Sequence, residues 1–192
     1  MNKAVIFILV CHSSSSIGDS KFDFGLFENE PFLKTVSQED RKLTSSLENL
    51  NRKYQDETLN KFLQKTARVS EKLDFIQHPI NAYQIIKKYA IVYPSMVDKL
   101  SSLDLKEKIK AQMNGTERIQ HISEDDFRRS VNALVQIIFS FGLDMDAFST
   151  GIIPANLHGT GDTDLVSGQP LMADDLFNIA VQAGDHFASR MK

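Results

Sequence analysis

At 192 residues, with 42% hydrophobic residues and a formal net charge of −3, the chain is long enough to bury a core and reads as one or two soluble domains. Its 22 basic and 25 acidic residues are mixed, with no Lys/Arg cluster on one face, which argues against a nucleic-acid partner. The absence of Trp and the nine glycines argue against a β-propeller or a low-complexity chain, and no internal repeat is found.

Lys3, the apolar run Ala4 to Cys11 and the small residues Ser13 to Ser16 form the pattern of a secretory signal over 1–16, ahead of the alternative of a buried strand. The run is too short to span a bilayer as a helix, and no membrane segment follows it. The single cysteine, Cys11, lies inside the signal, so a mature chain would carry no disulfide and no thiol chemistry. Residues 17–36 read as an N-terminal tail with scattered Phe22, Phe24, Leu26 and Phe27.

The stretch from Ser37 to Ile76 contains no Pro and no Gly and is rich in good helix formers. Its start stays open between Asn29-Glu30-Pro31, with Pro in the first turn, and a capping signal at Ser37-Gln38-Glu39-Asp40. Leu43, Leu47, Leu50 and Tyr54 share one helix face, and Leu59, Phe62, Leu63, Val69, Leu73 and Ile76 share another. Between them, at Gln55 to Thr58, the seven-residue phase slips, so the helix is expected to meet different neighbours along its length. Pattern alone leaves open a core helix of a monomeric bundle and a coiled coil between subunits.

The turn His78-Pro79 closes that helix, with Pro79 placed for the first turn of the next. Ile80, Tyr83, Ile86, Tyr89 and Ala90 form its apolar face, and Pro94 is expected to kink or stop it. Met96, Val97, Leu100, Leu103 and Ile109 continue an amphipathic run to the turn Asn114-Gly115-Thr116, which is also the chain's one glycosylation sequon. Ser123-Glu124-Asp125-Asp126 opens a helix with Phe127, Val131, Leu134, Val135, Ile138 and Phe141 inward, ended by Gly142. A short helix follows from Asp144 to a stop at Gly151, then a loop over 152–170. The last helix starts at Met172-Ala173-Asp174-Asp175, with Leu176, Phe177, Ala180, Ala183, Gly184 and Phe187 on one side. Strand alternation is found nowhere beyond the signal, so the fold class is all-α.

Phe75-Ile76-Gln77-His78-Pro79-Ile80-Asn81-Ala82-Tyr83 resembles the His-Pro-(Val/Ile)-Asn-Ala-(Phe/Tyr) turn in the N-terminal region of collagen prolyl 4-hydroxylase α subunits. Leu143 to Gly151 resembles that region's Leu-Asp-Thr-Asp segment ending at Gly. Asn114-Gly115-Thr116 and Asn132-Ala133-Leu134 fall between the two in matching order. Leu171 to Phe177 resembles the start of the family's next domain. The resemblance implies a helical dimerisation domain over 37–151, whose long helix pairs in a coiled coil and leads into an antiparallel helical bundle. Residues 171–192 would be the first helix of a tetratricopeptide-like peptide-substrate-binding domain. It implies a homodimer, or a heterodimer with a related alpha subunit, in the endoplasmic reticulum lumen or secreted. The dimer interface would be Leu43, Leu47, Leu50, Tyr54, Leu59, Phe62 and Leu63, of which Leu43, Leu47, Leu50 and Tyr54 would form a seam exposed in the single chain and buried in the pair. His78 and Pro79 would be structural turn residues, and Asn114 a glycosylation site. Recruitment of protein disulfide isomerase is not expected.

The family's catalysis uses Fe(II), 2-oxoglutarate and ascorbate, with a His-x-Asp pair and a distant His as iron ligands. None of His12, His78, His121, His158 and His186 is followed at the second position by Asp, so neither catalytic nor metal nor cofactor-binding residues are expected in this chain. Asp144-Met145-Asp146 and Asp162-Thr163-Asp164 lack the third oxygen ligand of a calcium loop, and His158-Gly159-Thr160-Gly161 lacks the frame of a dinucleotide site. The resulting reading is an assembly module of a prolyl 4-hydroxylase alpha-subunit-like protein, itself inactive. The alternatives are a fragment of a full-length procollagen-proline dioxygenase, an unrelated secreted helical carrier of an apolar ligand, and a degenerate paralogue that binds nothing.

Overall fold

The computed structural model describes residues 30–66, 78–153, 165–167 and 169–190. The signal-like N-terminus, the tail to residue 29, and Val69, Leu73 and Ile76 of the expected long helix lie outside them. The elements are α1 (Glu30–Tyr54), α2 (Glu57–Lys65), α3 (Pro79–Lys87), a π-helical turn (Lys88–Val92), α4 (Tyr93–Lys99), α5 (Leu103–Asn114), a 3₁₀ turn (Ile119–His121), α6 (Glu124–Phe141), α7 (Met145–Ser149) and α8 (Ala173–Arg190). One two-residue ladder pairs β1 (Ile152–Ile153) with β2 (Leu165–Val166), antiparallel, Ile152 opposite Val166. The fold is all-α, and this ladder is the small departure from the strandless expectation. It ties down Gly151, whose φ of +89° and close approach to Ser167 exclude a side chain.

The helix expected to run unbroken from Ser37 to Ile76 is divided. It begins at Glu30, the earlier of the two possible starts, and breaks at Gln55, whose φ of 50° is left-handed. Asp56 then caps α2, its carboxylate accepting from Leu59 N–H at 2.9 Å. The phase slip marks this two-residue turn. A straight helix would leave its second apolar face pointing away from the first, whereas the hairpin folds both onto one core.

Pro94 does not stop the following rod. The Tyr93 N–H reaches back five residues to the Lys88 carbonyl, and this wider turn places Pro94 in the first turn of the resumed helix, where no N–H is needed. The rod ends instead after Lys99, and Ser102 caps α5 by accepting from Leu105 N–H. That restart moves Leu103, expected in the core, to an exposed position, and buries Leu105.

Helix α3 sits between two apolar cores. Ile85, with Tyr89, Tyr93, Met96 and Val97 further along the rod, joins α1, α2 and α5 in the first. Ile80, Ala82, Tyr83 and Ile86 join α6, α7 and α8 in the second, which also takes in Ile153, Leu171 and Ile179. The capping box of Ser123 and Asp126 opens α6, and Gly142 at φ 56° closes it. Phe177, expected to face inward on α8, is exposed, because the inward stripe runs through Asp175, Leu176, Ile179 and Ala183. Among the described residues no helix is long and apolar enough to cross a membrane.

Candidate functional site

Two adjacent lysines of the rod join its two cores to their outer helices. Successive residues of a helix point about 100° apart, so Lys87 and Lys88 leave the rod in different directions, and a π-helical turn begins at Lys88. Lys88 is buried, and its ammonium donates to Asp40 of α1 at 2.8 Å and to Thr44 at 3.1 Å. It also lies over the rings of Phe62, at 5.8 Å, and Tyr89, at 5.3 Å. The Tyr89 hydroxyl donates to the same Asp40 oxygen at 2.6 Å. Burial, then the Asp40 charge and hydrogen bond, push that phenol well above its ordinary range. The buried pair thus ties α1, α2 and the rod at one point.

Lys87 turns to α8, where it pairs with Asp174 and, at 2.6 Å, with Asp175. Asp175 is buried, accepts from the Tyr83 hydroxyl at 2.6 Å, and caps the start of α8 by accepting from Met172 N–H at 2.8 Å. Burial alone would lower the Lys87 ammonium, but the two carboxylates raise it overall, and Lys87 in turn holds Asp174 below the ordinary carboxylate range. Burial first, and then Asp175, push the Tyr83 phenol up. A third tie joins α1 to the 3₁₀ turn. The Glu39 carboxylate accepts from the backbone N–H groups of Glu117, Arg118 and Ile119 at 2.5 to 3.2 Å.

Between the end of α2, the rod and the start of α8 lies a cleft of about 690 Å³, walled by Gln64, Thr66, Gln84, Val92, Pro170 and Met172. It opens to solvent; on its wall Lys87 pairs with Asp174 and Asp175, Lys88 pairs outward with Asp40, and Lys65 also lines it. That is not the enclosed apolar cavity an apolar-ligand carrier needs. Nor does it offer a base or nucleophile set. Among the described residues no three His, Cys, Asp or Glu side chains are placed to hold a metal ion, so these residues do not fit the iron site of a 2-oxoglutarate oxygenase.

The expected seam is present as residues but not as a free surface. Leu43, Leu47, Leu59, Phe62 and Leu63 are buried, and Leu50 and Tyr54 are half-buried, all packed with the rod and α5 of the same chain. The expectation of a face left exposed in the single chain is therefore corrected: the turn at Gln55 folds α2 back and the rod covers both seams. His78 and Pro79 make the entry to α3, the buried imidazole Nδ1 accepting from Ile80 N–H at 3.2 Å. Asn114 is the last residue of α5 and exposed, while Thr116 is buried with its hydroxyl donating to the Met113 carbonyl at 2.7 Å.

The model of the prolyl 4-hydroxylase alpha-subunit, N-terminal region, matches residues 32–155. The chain belongs to this family. No curated protein and no solved structure matches it. In this prolyl 4-hydroxylase alpha-subunit N-terminal region, the match runs from the first turn of α1 to just beyond β1, so it includes Asp40, Lys88 and the seam, while α8 lies outside it.

Sequence reasoning missed Asp40, Lys88, Lys87, Asp175 and Glu39. One signal was available for Asp40: it falls at helical spacing with Val36, Leu43 and Leu47, an acid on an apolar stripe, which implies a buried cation opposite. Removing one partner leaves a buried charge unpaired. Lys88→Met and Asp40→Leu are each expected to cost about 3–5 kcal/mol, and the double substitution much less than their sum. Chemical denaturation of the four proteins measures this, and additive losses would contradict the coupling.

Proposed function

We propose that this chain is an assembly module, pairing with a second copy of itself or with a related alpha subunit in the lumen of the endoplasmic reticulum. The observation that carries the reading is membership of the prolyl 4-hydroxylase alpha-subunit N-terminal family, in a chain whose described residues form helices and offer no iron site. The family's name associates it with proline hydroxylation. In this reading the chain itself carries none of that chemistry, since none of its five histidines is followed at the second position by Asp, and the helical region serves to bring subunits together. The cleft, open to solvent and bordered by charged side chains, gives no support to the carrier reading.

Sedimentation of the purified chain at tens of micromolar tests the reading. A dimer is expected, and a monomer throughout that range would sink the pairing of the chain with a second copy of itself.

The signal-like N-terminus together with exposed Asn114 at a helix end supports passage through the secretory pathway with a glycan at that site. Expression in secretory cells should give a mass that falls on glycosidase treatment, and Asn114→Gln should abolish that fall. An unchanged wild-type mass would count against the secretory placement.

A further inference from the structure

The charges that are mixed along the sequence of α1 are sorted by the fold. Asp40 is buried against Lys88, and the Glu39 carboxylate is taken up by the backbone N–H groups of Glu117, Arg118 and Ile119. Half-buried Glu48 has a partner as well. The basic residues are left facing out. Lys34, Arg41, Lys42, Arg52 and Lys53 are all exposed, and among the described residues none of them is in an ion pair. Lys53 lies over the Tyr54 ring at 5.5 Å, and Asp104, the acid bonded to the Tyr54 hydroxyl, is taken by Lys108. The even mixture of charge expected from the sequence therefore does not hold on this face.

Helical spacing lines these cations up. At about 100° and 1.5 Å per residue, Arg41 stands about 10 Å beyond Lys34 and Arg52 about 16 Å beyond Arg41, each within about 20° of one line. Lys42 and Lys53 repeat the longer step in a second row beside it. Between the cations the exposed positions are Gln38, Ser45 and Asn49, so a strip about 29 Å long offers cations, amides and a hydroxyl and no exposed apolar side chain. A bilayer or the apolar face of a partner helix would find nothing to bury there. A sulfated sugar chain matches each feature: it is extended, charged along its length and rich in hydroxyls, and its sulfates take Arg and Lys directly. With a net charge of −3 the whole chain does not attract a polyanion, so the attraction is that of the strip, acting within a Debye length of about 8 Å.

We infer that the outer face of α1 binds a linear sulfated polysaccharide. The inner face of the same helix stays on the first core, so binding needs no rearrangement. The inference goes beyond assembly and rests on the secretory placement, since sulfated sugar chains are made in that pathway.

Titration of the purified native chain with a heparin oligosaccharide of defined length tests it. Binding is expected at about 0.05 M salt and should weaken at least about tenfold by about 0.2 M. Arg41→Gln/Arg52→Gln should weaken it at least about tenfold, with the circular dichroism unchanged because both side chains are exposed. Lys110→Gln/Arg128→Gln removes the same charge from cations already paired with Glu107 and Asp125, and should change binding less than about twofold. No binding at the lower salt, or equal losses in the two variants, overturns the inference. So does binding as tight to desulfated heparin, to a poly-glutamate peptide or to phosphatidylserine vesicles, which would assign the strip to another class of anion. All of this is read on the isolated chain, so a failure here is separate from failure of dimerisation, read by sedimentation, and of the secretory placement, read by the Asn114 glycan.

Discussion

The ion pair of Lys88 and Asp40 is the constraint on which the first core depends. Both side chains are out of solvent, and the ammonium and carboxylate meet at 2.8 Å. Two charges in that position are tolerable only if every one of their neighbours is in place: Thr44 on α1, the Tyr89 hydroxyl on the rod, and the aromatic faces of Phe62 and Tyr89. Such a pair contributes less to net stability than to choice. A registration of α1 shifted by one turn would bury Asp40 or Lys88 without its partner, at a cost that apolar contacts could not offset.

Adjacent Lys87 makes the equivalent tie on the second core, and the difference between the two is exposure. Asp174 is largely solvated while Asp175 is buried, so the α8 tie has one screened and one unscreened arm. The π-helical turn that begins at Lys88 lies where the two ties diverge. It also absorbs Pro94, whose missing N–H would otherwise break the rod that both cores share.

Helix type and most helix starts were legible in the sequence because they rest on local chemistry. Ser123, Asp144 and Gly142 act as caps, and Pro79 as a first-turn residue, as their residue types require. The turn at Gln55 was legible only as a slipped phase, since Gln has no preference for left-handed angles and nothing local announces it. Leu103 and Phe177 went to the wrong side for a related reason: periodicity counts apolar residues, but the depth of each is set by the helix opposite. The ties of Asp40 to Lys88 and of Tyr83 to Asp175 join residues far apart in the chain, and no local pattern pairs them.

The account turns on α1 being an integral wall of the first core, held by its buried acid. Amide hydrogen exchange along the native chain tests this most directly. The backbone amides of Leu43 and Leu47 are predicted to be protected as strongly as those of Ile85 and Tyr89, all exchanging through the same global opening. Fast exchange along α1 beside a protected rod would contradict it, and would mean that the helix is not docked and that Lys88 is not paired by Asp40.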